Sequence, residues 1–178
     1  MIVFHPCFLF LTCGSEDHSV SLYDISVSPP VIKYHLKHHT HRVWCVAFHS
    51  RLPLLATGSE DESIVLYDIS ALIPSSITTL ITTSLSVKCV LKDLQWSIGS
   101  IVFHHTLPLL ATSCNDNTVI LYNLVTSPPS IIHRLKIDNN QTCITNIHPN
   151  LSLFVRGTVP GTIFIHNLNR TIIENIKI

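Results

Sequence analysis

Residues 48–69 read FHSRLPLLATGSEDESIVLYDI, and this stretch decides the fold. Runs rich in Val, Ile, Leu, Tyr and Thr alternate in it with Ser, Asp, Glu and Pro, which is the pattern of short strands separated by turns. We expect strands at 43–48, 54–58 and 63–69, with a turn around Ser59, Glu60 and Asp61 and a looser fourth strand behind them. No segment of the chain has a convincing helical period.

The same unit occurs four times. It begins at Phe4-His5, Phe48-His49, Phe103-His104 and Ile147-His148, at intervals of 44, 55 and 44 residues. A period of about 40 to 45 residues with strand chemistry is typical of β-propeller blades of four strands each. We therefore predict an all-β propeller segment of about four blades, with boundaries near 1–39, 40–92, 93–137 and 138–178. The longer interval arises between Ala71 and Val87, which we interpret as a loop containing a weak strand.

Four blades are few for a propeller. A seven-blade ring needs about 280 to 315 residues at this period, whereas the chain has 178. The alternatives are a tight four-blade ring and an incomplete ring with open sheet edges, and open edges are adhesive. We predict the incomplete ring, which would associate with itself through these edges or be completed by a second copy or by the rest of a larger protein.

The composition excludes some partners. Hydrophobic residues make up 46% of the chain and charged residues 12%, against about 25% charged in an average soluble domain. Eleven basic residues balance eleven acidic ones, so the charge gives no reason to expect binding to nucleic acid or to an acidic membrane surface.

Cysteine use and hydropathy indicate the compartment. The six cysteines form no C-x-x-C pair, which favours free, buried thiols in a reducing, cytoplasmic environment. No apolar stretch reaches the 18 or more residues that a spanning helix needs, and the N-terminal apolar run 1–11 lacks a positively charged start and is interpreted as strand. We expect a chain that reaches membranes only through partners.

The sequence favours neither catalysis nor metal binding. Among twelve histidines, His38, His39 and His41, with His35 nearby, are the densest group, but consecutive residues of a strand point to opposite faces and zinc needs three or four converging ligands. No G-x-S-x-G, H-E-x-x-H or glycine-rich phosphate loop occurs. We predict no enzyme activity, no catalytic residue, no metal site and no cofactor.

Candidate partner-binding residues lie where the turn before the third strand and the start of the first strand meet, the usual recognition face of a propeller. Aromatic residues and Arg are typical interface anchors, and acidic residues could meet a basic tail. The predicted partner-binding residues are Glu16, Arg42, Trp44, Glu60, Asn115 and Gln141, with Ser97, Gly99 and Cys143 at equivalent positions. The alternative is an ordinary solvated rim, with Trp44 packed partly between blades.

At these residues the chain resembles the WD40 repeat family, which has Gly-His before the first strand, Ser-x-Asp in the turn and Trp-Asp closing the third strand. The second unit keeps His39, Ser59, Asp61 and Tyr67-Asp68, with His38 where Gly is usual. The resemblance implies a buried structural relay in which Asp61 holds His39, His39 bonds the hydroxyl of Ser59, and Tyr67 takes the place of Trp.

The other units depart from this pattern. The first has Ser15, Asp17 and Tyr23-Asp24; the third has Cys114, Asp116 and Tyr122-Asn123, with Leu94 at the His position; the fourth has Thr158, Pro160 and His166-Asn167, with Asp138 at the His position. We therefore expect the third and fourth blades to be stabilised mainly by their hydrophobic strands, with few buried polar contacts.

Within the WD40 family, the chain resembles the later blades of the N-terminal propeller of the coatomer alpha subunit family. The similar segments are Phe4-His5-Pro6, 67–72 (YDISAL), 87–91 (VKCVL) and 148–154 (HPNLSLF), together with Asp138. This resemblance implies a vesicle-coat subunit in transport between Golgi and endoplasmic reticulum, peripheral at Golgi or vesicle membranes, with coat subunits or dilysine cargo tails as partners. The chain departs from that family at Gln141, Thr142 and Cys143.

Three functions remain to be distinguished. The first is a noncatalytic protein-interaction scaffold, of coat type by resemblance. The second is a truncated or stand-alone fragment without autonomous function, and the third is a general adaptor in another complex. Because folds do not fix functions, the choice among them depends on the surface that the fold presents.

Overall fold

The structure is a computed structural model of the 178-residue chain, and it describes residues 1–72, 85–136, 142–148, 151, 153–158, 162–167 and 173–177. In this part of the chain, strands dominate and a single 3-10 helix occupies Ser70–Leu72. The all-β fold class predicted from the repeats is confirmed.

Each sequence unit folds as one antiparallel sheet whose strands follow chain order. Sheet 1 contains β1 (Ile2–Phe4), β2 (Phe10–Gly14), β3 (Val20–Asp24) and β4 (Val31–Leu36). Sheet 2 contains β5 (Val43–Phe48), β6 (Leu54–Ser59), β7 (Ile64–Asp68) and β8 (Ser86–Leu91). Sheet 3 contains β9 (Ile98–Phe103), β10 (Leu109–Cys114), β11 (Thr118–Asn123) and β12 (Ser130–Lys136). Sheet 4 contains β13 (Thr142–Ile147), β14 (Leu153–Thr158), β15 (Thr162–Asn167) and β16 (Ile173–Lys177).

The strands of sheet 2 begin and end within one or two residues of the bounds expected from the sequence. The first strand of the chain, β1, has only three residues. The segment expected to form a loop with a weak strand, between Ala71 and Val87, lies largely outside the described residues, and β8 begins at Ser86.

The register of sheet 2 separates two apolar faces. Leu55 of β6 lies opposite Phe48 of β5 and opposite Tyr67 of β7. Residues directly opposite each other share a face of the sheet, so these three side chains lie on one face. Ala56 lies opposite Ala47 and Leu66 on the other face. Because β6 is buried along its whole length, both faces of this sheet are covered.

Three core clusters join the sheets in chain order. Leu55 and Tyr67 pack with Leu22 of sheet 1, whereas the opposite face of sheet 2 packs on sheet 3. Sheets 3 and 4 meet through a smaller cluster made of Ala111, Val119, Leu121, Ile147 and Phe154. No cluster among the described residues joins sheet 1 to sheet 4, so the stack is an open arc, as expected of an incomplete propeller.

The turn between the second and third strands has the same construction in three sheets. The residue after the turn aspartate has a positive φ in each of them: 71° at His18, 65° at Glu62 and 68° at Asn117. In sheet 2, Val43 at the start of β5 lies opposite Ser59 at the end of β6. The turn and the loop before the first strand therefore lie at the same end of sheet 2.

Candidate functional site

His39 is the centre of a buried polar relay at this end of sheet 2. Its side chain is 1% exposed, and its Nδ1 lies 2.9 Å from Oδ2 of Asp61. The same carboxylate oxygen accepts the backbone N–H of Thr40 at 2.9 Å. The other oxygen, Oδ1, accepts the backbone N–H of Ser63 at 3.0 Å and its hydroxyl at 2.5 Å. Asp61 thus ties the loop before β5 to the turn after β6.

The hydroxyl that continues the relay belongs to Thr57. Thr57 Oγ1 lies 2.7 Å from His39 Nε2, whereas the Ser59 hydroxyl donates to the backbone carbonyls of His41 and Arg42, at 3.1 and 2.8 Å. The assignment of Ser59 to this step was therefore wrong. Both residues lie on one face of β6, but the His39 ring contacts the hydroxyl of Thr57 and not that of Ser59. Its Nδ1 also lies 3.2 Å from the hydroxyl of Ser63.

Tyr67 lies at the far end of the relay. It is fully buried, forms a hydrogen bond with the Thr57 side chain, and its hydroxyl is 3.2 Å from Nδ1 of His38. Burial raises the pKa of Tyr67 to about 12, so the phenol stays protonated and able to donate. His38 therefore adds a polar contact where the WD40 pattern usually has Gly.

The charge states within the relay follow from burial and hydrogen bonding. Burial lowers the pKa of His39, and this outweighs the opposite effect of Asp61. Burial would raise the pKa of Asp61, but bonds from Ser63, Thr40 and His39 hold it below its usual value. The pair is thus a neutral imidazole against a carboxylate, which is a structural clamp.

The other sheets retain only parts of this arrangement. In sheet 1, Asp17 accepts the backbone N–H and the hydroxyl of Ser19 at 3.0 and 2.6 Å. In sheet 3, Leu94 is buried at the His position, and the Cys114 thiol donates to Asp116 at 2.6 Å.

Sheet 4 places a cation in the relay position. Arg156 stands where sheet 2 has Thr57 and is 1% exposed; its Nε donates to Nε2 of His166 at 3.1 Å. Asp138 and Pro160, also assigned from the pattern, lie outside the described residues. Polar locking of the WD40 type is thus complete in sheet 2 alone among the described parts of the four sheets.

The candidate partner-binding surface begins with three charged side chains on sheets 1 and 2. Nη1 of Arg42 is 4.0 Å from Oε1 of Glu16, and both side chains are at least half exposed. The backbone N–H of Glu60 donates to the carbonyl of Arg42 at 2.9 Å, so Glu60 lies next to Arg42. Trp44, two residues further along β5, is 44% exposed. The structure therefore brings Glu16, Arg42, Trp44 and Glu60 to the side of the arc that carries the turns.

Residues of sheet 3 extend this candidate surface on the same side of the arc. The N–H of Asn115 donates to the carbonyl of Ser97 at 3.1 Å, and Asn115 is exposed, beside Gly99. Next to Ser97 lies Trp96, which is 59% exposed and was missed from the sequence. Its position just before a first strand was the signal that could have found it. Gln141 and the side chain of Cys143 lie outside what the structure describes.

Within the described residues, no three His, Cys, Asp or Glu side chains converge as a metal site would require. The cysteines at 7, 13, 45, 89 and 114 are free. None of the helical structure described is long and apolar enough to cross a membrane.

The repeats match a known family. The WD40 family, described as WD domain, G-beta repeat, matches residues 31–68 and 76–123. No curated protein sequence matches the chain. The matched segments contain the relay of sheet 2 and the strands of sheet 3 up to the end of β11. These segments cover 86 of the 178 residues, and over them the chain is similar to the WD40 repeat family.

Proposed function

We propose that the chain is a noncatalytic protein-interaction scaffold, and that its binding surface consists of Glu16, Arg42, Trp44, Glu60, Asn115 and Trp96. The observation that carries this proposal is the exposure of two tryptophans on the side of the arc that carries the turns. Trp44 is 44% exposed and Trp96 is 59% exposed. Tryptophan and Arg are enriched among residues that dominate binding energy.

The relay supports this role without taking part in binding. By fixing the turn at Asp61 against the loop at Thr40, it holds Glu60 and Arg42 in place before any partner arrives. A surface ordered in advance loses less side-chain entropy on binding. The partner is expected to be an extended peptide or a loop, because the surface is a shallow band of aromatic and charged side chains.

The test is site-specific crosslinking. A photoreactive phenylalanine analogue replaces Trp44 in one variant and Val125, which is 73% exposed, in a matched control. Crosslinking of one partner from position 44, and its loss when Arg42→Ser is added, would support the proposal. Equal crosslinking from both positions, or the same partner recovered from R42S, would contradict it.

A narrower proposal rests on the similarity to the coatomer alpha family at 67–72 and 148–154. We propose that the chain works with vesicle-coat subunits in transport between Golgi and endoplasmic reticulum, in the cytoplasm and peripheral to Golgi membranes. Glu16 and Glu60, both adjacent to Arg42, give a basic peptide tail two carboxylates to contact.

This narrower proposal has its own measurement. A peptide ending in a dilysine motif and one with both lysines replaced by serine are titrated against the chain and against the double variant Glu16→Gln, Glu60→Gln. Binding that needs both lysines and both carboxylates, together with recovery of coat subunits, would support coat function. Crosslinking of another partner, with neither dilysine binding nor recovery of coat subunits, would favour a general adaptor. If no partner is crosslinked at all, a fragment without autonomous function would be favoured.

A further inference from the structure

Within the part of the chain that the structure describes, the first and last sheets of the arc each have one apolar face on which no other sheet packs. The backward face of sheet 1 carries Ile2, Phe4, Leu11 and Tyr23, which the register places on one side of the sheet. The forward face of sheet 4 carries Leu153, Val155, Gly157, Ile163 and Ile165, placed on one side in the same way.

The backward face of sheet 1 repeats a face that is buried elsewhere in the molecule. At the equivalent positions of sheet 2, Phe48 is 8% exposed, and Leu55 and Tyr67 are 0% exposed, because they pack on sheet 1. In sheet 1, Phe4 is 65% and Ile2 is 67% exposed. The same types of side chain are therefore in contact with water here, because no sheet among the described residues packs on this face.

The forward face of sheet 4 has a glycine, Gly157, at the position that a side chain of the next sheet approaches in sheets 1 and 2. A Cβ added to Gly58 in sheet 2 would lie 2.7 Å from Ile98 and from Ile101 of sheet 3, and one added to Gly14 in sheet 1 would lie 2.7 Å from Val43 of sheet 2. Glycine at this position thus admits a side chain of the next sheet. At Gly157 in sheet 4, a Cβ would meet nothing within 4 Å among the described residues.

The side chain that would pack against Gly157 is present on the chain itself. Ile101 lies opposite Thr112 in sheet 3, just as Ile2 lies opposite Cys13 in sheet 1, so Ile2 is the repeat equivalent of Ile101. An exposed Ile2 on one molecule matches an empty space above Gly157 on another. The contact would continue the sheet-to-sheet packing that already joins sheets 1 to 4.

We propose that the forward face of sheet 4 docks onto the backward face of sheet 1 of a second copy of this chain. Each copy supplies one face of each kind, so two copies close with two identical head-to-tail contacts and form a ring of eight four-stranded sheets, within the range of known propellers. The chain's eleven basic and eleven acidic residues leave no net charge to oppose association.

The test is sedimentation velocity on the full chain and four variants. The parent is expected to sediment at twice its mass of 19.9 kDa. Ile2→Asp and Gly157→Leu are each expected to give monomers that keep the strand signal in circular dichroism, because Ile2 is exposed and the site above Gly157 is open. Val125→Asp, at a residue 73% exposed on neither face, and Trp44→Ser should leave the dimer intact.

Mixing the two monomeric variants gives the decisive result. The Ile2→Asp chain keeps an intact forward face and the Gly157→Leu chain keeps an intact backward face, so a 1:1 mixture should regain a two-copy species through one intact contact. A parent that stays monomeric at its highest soluble concentration would overturn the proposal. So would variants that fail to complement, since the intact forward face of one would then not bind the intact backward face of the other. A ladder of larger oligomers would also overturn it, since the ring would not close.

Discussion

Nε2 of His39 lies 2.7 Å from Oγ1 of Thr57. Because the carboxylate of Asp61 can only accept, Nδ1 of the neutral imidazole carries the hydrogen and Nε2 accepts from the threonine hydroxyl. This pair fixes the tautomer of the ring and connects the turn to the interior of sheet 2.

Replacement of Thr57 tests this connection. Thr57→Val is nearly isosteric and leaves the buried Nε2 without a donor, so we expect the free energy of unfolding to fall by about 1 to 3 kcal/mol. In a double-mutant cycle measured by urea unfolding, His39→Leu should make Thr57→Val less costly by at least about 0.5 kcal/mol. The matched cycle of His39→Leu with Thr112→Val in sheet 3, where Thr112 donates to the carbonyl of Ile120 instead, should be additive. Additivity in both cycles would contradict the assignment.

The turn after β6 stores backbone strain at Glu62. Its φ of 65° lies in the left-handed region, which residues with a Cβ other than Asn and Asp rarely adopt. Sheet 3 has Asn117 at the same position with a φ of 68°. We expect Glu62→Asn to raise the free energy of unfolding by about 0.5 to 1 kcal/mol. Glu60→Asn, two residues earlier on the exposed turn, serves as control and should change it by less than about 0.5 kcal/mol; an equal gain in both would point to charge rather than backbone.

The repeats predicted the strands and the sheets because alternation and turn residues are local properties of the sequence. They did not distinguish Thr57 from Ser59, since residues two apart on a strand share a face and the choice depends on how deeply the His39 ring enters. The exposure of Trp96 also depends on tertiary packing. The burial of Arg156 ran against the strong tendency of charged residues to lie at the surface, so no pattern could have indicated it.

Burial of Arg156 is expected to lower the stability of the folded chain. It is 1% exposed, its guanidinium carbon lies 3.7 Å from the ring centroid of Phe164, and neither Nη1 nor Nη2 has a hydrogen-bond partner in the described part of the chain. A buried, unsatisfied polar group costs about 1 to 3 kcal/mol, and more when it is charged.

We therefore expect Arg156→Met, which fills a similar volume without charge, to raise the free energy of unfolding by about 1 to 3 kcal/mol. The measurement is urea unfolding followed by circular dichroism. Arg134→Met, at an exposed residue of sheet 3, is the control and should have an effect within about 0.5 kcal/mol. A loss of stability in R156M would mean that a buried anion pairs with the guanidinium in solution.

His166 makes the stability of sheet 4 depend on pH. Burial, reinforced by the positive charge of Arg156, lowers the pKa of His166 to about 4 from 6.5. The folded state then binds fewer protons than the unfolded state between these two values, so this contribution to stability is complete above pH 6.5 and is lost as the pH falls toward 4. The full difference is on the order of 3 kcal/mol. His5, His39, His49 and His104, whose pKa values burial also lowers, act in the same direction.

The variant His166→Phe should separate this group from the other histidines. Phenylalanine keeps the ring stacked on Phe154, where the two centroids lie 4.3 Å apart, but it cannot take up a proton. We expect the free energy of unfolding, measured in urea at a series of pH values between about 4 and 6.5, to fall less steeply in H166F than in the parent, by about one proton. His133→Phe, at an exposed residue, should leave the parental slope unchanged. Identical slopes for H166F and the parent would mean that His166 titrates alike in the folded and unfolded states, and the buried contact with Arg156 would then have no influence on its protonation.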